Sequence, residues 1–237
     1  MSKKIWIKEI KPIDIEGGYL IDGFPSIGFT SAIASESMIS NSQFEHVGVI
    51  DSDDFFPMSI IKNGNPTFPT QIFVNKELKV AIFLSYYRID EHLHRTVAKS
   101  MLQWANQHKC SLIVSSIAVG SSGINPPVSG IANTESAKNK LTNSGIPILN
   151  QGTIPGIPGI LLNEGMLNSQ DVVVLIINSV NDSPDFKAGA QLCLAMSQLI
   201  PGTACDLRSL EEEAENAEKR IIRTEKETNA LKDAMYG

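Results

Sequence analysis

Cysteine is scarce in this chain. Only Cys110, Cys193 and Cys205 occur, without a C-x-x-C pair. They are too few and too scattered for a disulfide framework. Cys110 and Cys193 sit in apolar surroundings and read as core fillers. No run approaches the ~18 consecutive apolar residues that a membrane-spanning helix needs. Positive charge is also short: 20 Lys and Arg face 26 Asp and Glu, for a net charge of −6. An acidic chain makes a poor footprint for duplex nucleic acid or for an anionic membrane surface. The opening "MSKKIWIKEIKP" has charges but no apolar stretch behind them, unlike a secretory signal. These absences point to a protein of the cytoplasm, in reducing surroundings, that binds neither nucleic acid nor membrane.

Motifs for the common chemistries are missing as well. "GFPSIG" (residues 23–28) and "GSSG" (residues 120–123) follow strand patterns, but neither is a P-loop or a G-x-G-x-x-G turn. No G-x-S-x-G elbow occurs. Of the four histidines, His92 and His94 form an H-x-H pair. On a helix, two such side chains point about 200° apart and cannot share a metal. Asp51, Asp53 and Asp54 cluster after a strand and could hold a hard cation, or simply form a solvated loop. The expectation is that the chain needs no cofactor and is not an enzyme.

What is present is a regular alternation of strands and helices. The chain has 237 residues, 42% of them hydrophobic, enough for one large core. "IWIKEI", "GYLIDGF", "FEHVGVID", "KVAIFLSYY", "CSLIVSSIAVG", "IPILNQG" and "DVVVLIINSV" read as strands. Between them, "PSIGFTSAIASESMIS", residues 91–108, "NTESAKNKLTNSG", "GILLNEGMLNSQ" and "PDFKAGAQLCLAMSQLIPG" read as helices. Asp90 is placed to cap the second helix, and Leu93, Val97, Met101 and Trp104 fall on one face of it. Residues 120–132 read as a loop, and 54–75 as an antiparallel addition at a sheet edge, with Asn63-Gly64 as a hairpin turn. The pattern predicts an α/β sheet with helices on both faces. In "FFPM", Phe55 and Phe56 form either an exposed apolar patch for oligomer contact or part of the core.

Composition changes near 201–206. This divides the chain into an α/β domain, residues 1–203, and a charged C-terminal helix, residues 204–237. Leu207, Leu210, Ala214, Ala217, Ile221, Thr224, Thr228, Leu231 and Met235 alternate by three and four residues, an unbroken heptad frame. That stripe serves either self-association, through Leu207, Leu210, Ile221 and Leu231, or packing on its own domain. The frame ends in Met235, followed by Tyr236 and Gly237. A carboxylate beside an aromatic ring suits capture by a partner that reads C-terminal peptides.

Three segments resemble the proteasome assembly chaperone family. They are "LIDGFPSIGFTSAIASESMIS", "GTIPGIPGILLNEG" and "NDSPDFKAGAQLCLAMSQLIPGTACDLRSLEEEAE", which together span roughly residues 18–220. The resemblance implies a fold similar to nucleoside phosphorylases and peptidyl-tRNA hydrolases, without a catalytic role. It further implies an archaeal-like, ATP-independent homo-oligomer that binds the proteasome core particle as assembly chaperone or activator. Some members end in a hydrophobic-tyrosine-any (HbYX) motif that docks between α-subunits. Met235, Tyr236 and Gly237 match that motif position by position. The alternative is a phosphorylase-like or hydrolase-like enzyme on a small molecule, with the Gly-rich loops as its anion site. The two Gly-rich turns facing one open pocket would favour that alternative.

Overall fold

The computed structural model describes residues 5–62, 64–120, 127–179 and 183–212. Its centre is an eight-stranded mixed sheet. The strands are β1 (Trp6–Glu9), β2 (Tyr19–Gly23), β3 (Glu45–Asp51), β6 (Thr70–Asn75), β7 (Val80–Ser85), β8 (Leu112–Val119), β9 (Val128–Ala132) and β10 (Val172–Asn178). They lie in the order β1-β3-β6-β7-β2-β8-β10-β9. The four central strands, β7, β2, β8 and β10, are parallel. Antiparallel strands flank them on both sides. A separate two-stranded hairpin, β4 (Ile60–Lys62) and β5 (Asn65–Thr67), stands beside the sheet.

The central strands are apolar along their whole length because helices cover both faces. Alternate residues feed two cores. Leu20, Phe83, Ile113 and Val174 face α2 (His94–Gln107) and α4 (Gly156–Leu167). Ile21, Ile82, Val114 and Val173 face α1 (Thr30–Asn41), α3 (Glu135–Asn143) and α5 (Phe186–Leu199). On α2, Leu93 just before the helix and Val97, Met101 and Trp104 within it are buried, as their spacing predicts. Trp104 meets Phe83 edge-on at 4.9 Å, and its indole N–H donates to Glu9 on β1 at 2.9 Å. The edge strand is therefore tied to the helix layer.

α1 follows a different rule. Its buried residues include Thr30, Ser31, Ser35 and Ser37 beside Ala34 and Met38. Small side chains let α1 approach α5 closely, and a Cβ at Gly189 would come within 2.5 Å of Ile33. The helix does not begin at Pro25 or Ser26. A 3-10 turn, Ile27–Phe29, precedes it, which leaves Ile27 exposed rather than inner.

Several expectations are corrected. The segment 70–75 is no edge addition: β6 lies inside the sheet, between β3 and β7. Residues 128–132, read as loop, form the edge strand β9. "IPILNQG" makes only an isolated bridge, Gly130 with Ile148. Asp90 makes no capping bond with its side chain. Cys193 is no free core filler, because it is joined to Cys205 by a disulfide. The spacing hid this, since α5 turns back through Pro201 and Gly202 to bring two residues 12 apart together. Cys110 remains a free thiol in the core, and burial pushes its pKa up to about 12.

Candidate functional site

The chain leaves β2 toward β7 on one side and later returns to β8 on the other. That reversal is a topological switch point, where the C-terminal ends of parallel strands open a crevice. A cleft of about 900 Å³ lies there. Asp22 on β2, residues 24–27 after it, residues 116–120 at the end of β8 and residues 153–160 opening α4 all line it. Residues 24–27 of the first Gly-rich turn and Gly120 of the second therefore meet at one open cleft.

Glycine is required at one of these turns. Gly28 has φ 66°, and a Cβ there would collide with the Ser179 hydroxyl. Its carbonyl accepts from the Asp185 N–H at 2.8 Å, pinning the turn to the start of α5. Phe29 continues in the left-handed region with φ 54°, and Arg88 lies over its ring at 5.0 Å.

Asp22 forms part of the cleft floor and is buried. Its Oδ1 accepts from the Phe24 N–H at 3.1 Å, and its Oδ2 accepts from the Ser115 hydroxyl at 2.7 Å. Burial is the main cause that pushes its pKa up to about 6, against the two hydrogen bonds that lower it. Ser116 pairs with Ser31 at 2.8 Å, and the Ser26 hydroxyl accepts from the Ala118 N–H at 3.2 Å. His94 begins α2 and bonds the Ile89 carbonyl oxygen through Nε2 at 3.0 Å. The nearby hydroxyls and the imidazole are engaged with structural partners, so no activated nucleophile stands out among the described residues.

The other candidate residues separate. Phe55 is buried and meets Tyr87 edge-on at 6.1 Å, so it belongs to the core and not to an exposed patch. Phe56 is 68% exposed. Ile61 and Phe68 on or beside the β4–β5 hairpin are exposed too. The hairpin register pairs Ile61 with Pro66 and Ile60 with Thr67, which sets Ile61, Pro66 and Phe68 on one face by alternation. Lys62 anchors this hairpin to the body through Glu36 at 2.8 Å, with Tyr86 as a second partner.

Helical structure resumes at 207 after the disulfide-bonded connector. Asp206 caps it by accepting from the Ser209 N–H at 3.1 Å, and the Asp206 N–H donates to Ser37 at 2.9 Å. Leu207 is half-buried. Leu210 is buried in a groove with Ile33 and Phe186, on its own domain rather than exposed for a partner. Ile221, Leu231 and the ending Met235, Tyr236 and Gly237 lie outside the described residues.

In the acidic cluster, Asp51 accepts from the Ser52 N–H at 2.8 Å and the Asp54 N–H donates to the Ser52 hydroxyl at 3.2 Å. Among the described residues, no three His, Cys, Asp or Glu side chains converge as a metal site. No helix among them is long and apolar enough to cross a membrane.

The profile of the PAC2 family matches residues 20–225. The chain belongs to the PAC2 family. This bears out the resemblance to proteasome assembly chaperones. An uncharacterized protein of Methanocaldococcus jannaschii is 26% identical over 212 residues, covering 88% of this chain and 86% of that protein. Among solved structures, Pyrococcus furiosus PbaA is described as an archaeal homolog of proteasome-assembly chaperone. It superposes with TM-score 0.83 at 24% identity, covering 97% of this chain and 95% of PbaA. Pyrococcus furiosus PbaB, described as an archaeal proteasome activator, gives TM-score 0.77 at 21% identity, covering 94% of this chain and 100% of PbaB. At these identities the two structures establish a shared fold.

Proposed function

We propose that this protein is a non-enzymatic proteasome-binding protein, an assembly chaperone or activator. The observation that carries this reading is the PAC2 match over residues 20–225, which runs into the segment leading to Met-Tyr-Gly. The descriptions of PbaA and PbaB support the same class of partner. In this reading the α/β domain assembles with copies of itself, and each copy presents Met235, Tyr236 and Gly237 to pockets between α-subunits of the core particle. Several weak tails then bind together through effective concentration, without ATP. Phe56 and the hairpin face supply an oligomer contact.

The test is binding of the full chain and of a chain lacking residues 235–237 to an archaeal core particle, with peptidase rate as a second readout. Loss of binding on truncation identifies the tail as the docking element. Binding that survives truncation moves the interface to the α/β domain. Absence of binding by both forms overturns the proposal and favours the second reading, a small-molecule enzyme. One observation speaks for that second reading: the Gly-rich turns border one open cleft.

A further inference from the structure

The cleft between the ends of β2 and β8 is large enough for a small organic molecule. Its walls are largely apolar, with Phe24, Ile27, Ile89, Ile117, Ile154 and Ile157 among them. Two of its lining side chains offer acceptors. Asp22 is the first. An ionised carboxylate has about four lone-pair positions, and bonds from Phe24 and Ser115 occupy two. Among the described residues, neither Lys nor Arg forms an ion pair with it. His94 is the second. A carbonyl oxygen only accepts, so Nε2 donates to Ile89, and in that tautomer Nδ1 is an acceptor. That Nδ1 lies 3.5 Å from where a Cβ on Gly156 would sit, so glycine keeps it uncovered. Arg88 and Glu91 also border the cleft, and Arg88 lies over the Phe29 ring at 5.0 Å.

Capping the Phe24 N–H alone does not require a carboxyl, because Asn or Ser would accept that bond without a buried charge. A charged acceptor under an apolar cleft is complementary to a donor delivered from outside. We propose that this cleft binds a small organic molecule with an apolar, ring-sized body and a nitrogen head whose N–H groups bond to Asp22. Amines, amidines and amides satisfy this description. Asp22 and the named walls of the cleft fall within residues 22–157, so the proposal holds whichever partner the tail serves.

The experiment uses the full chain and benzamidine as probe, with benzoate as the matched anion, followed by ligand-observed NMR and calorimetry at neutral pH. A nine-atom probe with good complementarity reaches a Kd of about 1 mM or tighter. Benzamidine is expected to bind at one site and benzoate at least about tenfold more weakly, the factor that one charge-assisted hydrogen bond confers. Asp22→Asn is expected to weaken benzamidine by about the same tenfold. Thr153→Trp places a large ring at the exposed rim, leaves the core untouched, and is expected to abolish binding. It keeps the site testable if Asp22→Asn does not fold. Equal binding of benzoate, undiminished binding by folded Asp22→Asn, unchanged binding by Thr153→Trp, or no benzamidine binding at all would each overturn the proposal. A chain lacking residues 235–237 should bind benzamidine normally.

Discussion

Cys193, buried in α5, is covalently joined to Cys205, two residues before helical structure resumes at Leu207. The bond closes a loop of 12 residues in sequence separation. Closing a loop of that size removes chain entropy worth about 3 kcal/mol from the unfolded state. Reduction, or Cys205→Ser, should therefore lower the Tm by roughly 6–12 °C for a domain of this size. Calorimetry with and without reductant checks this, and Cys205→Ser should be insensitive to reductant. A wild-type Tm unmoved by complete reduction would show that the bridge contributes nothing to stability.

Asp22 gives a pH dependence of defined sign. Its folded pKa is about 6, against an ordinary value of 3.8. Between these values the folded state holds a proton that the unfolded state has lost. Stability is thus unaffected by this group below the lower value and falls as pH rises through the window. The loss approaches about 3 kcal/mol above the upper value. Asp22→Asn keeps an acceptor for the Phe24 N–H, and its amide can donate to the Ser115 hydroxyl. Urea unfolding from pH 4 to pH 7 should show the variant gaining on wild type by that order. A constant difference across the window would contradict the burial argument.

Gly28→Ala tests the turn that shapes the cleft. The added methyl group faces the Ser179 hydroxyl and lies 3.0 Å from the Asp185 side chain, at φ 66°. Left-handed backbone and overpacking together should cost about 2–4 kcal/mol. Chemical denaturation checks the size. Gly64→Ala is the control, since φ is 77° there but no atom lies within 4 Å. It should cost only the backbone part, about 1 kcal/mol. Equal costs at both positions would remove the collision from the account.

The sequence reveals elements whose signal is local. Leu93, Val97, Met101 and Trp104 announce the buried face of α2, and "VVVLIIN" announces β10, because period and apolar run are properties of contiguous residues. Elements set by distant partners are less legible. β6 looks like an edge strand until β3 and β7 are both seen beside it. β9 hides behind "PPVSG", where Pro and Gly mask a strand held by β10 and by the Gly130 N–H bond to Pro147. The Cys193–Cys205 bond depends on the turn at Pro201 and Gly202, not on a cysteine motif. Asp22 carried a signal that went unused. It is the single charge in the apolar run "YLIDGF", and burying one carboxyl there needs a reason that packing does not supply. "FFPM" also could not be divided from sequence, because Phe55 and Phe56 differ only in which side of the chain meets Tyr87.

Phe56 and the β4–β5 hairpin carry the last prediction. Phe56 at 68%, Ile61 at 65% and Phe68 at 45% exposure are large apolar side chains presented to solvent. Burying such side chains against a second copy would return about 1.5–3 kcal/mol each. Phe56→Ser with Ile61→Lys removes two of them without disturbing the core, so the Tm of the subunit should move little. Light scattering coupled to size-exclusion chromatography should then report a smaller assembly. The same variant, with its tail intact, should bind a core particle at least ~100-fold more weakly, because a single tail loses the gain from linked sites. A smaller assembly with unchanged affinity would mean that one tail suffices. An unchanged assembly would move the oligomer contact away from this face and leave the hairpin without that role.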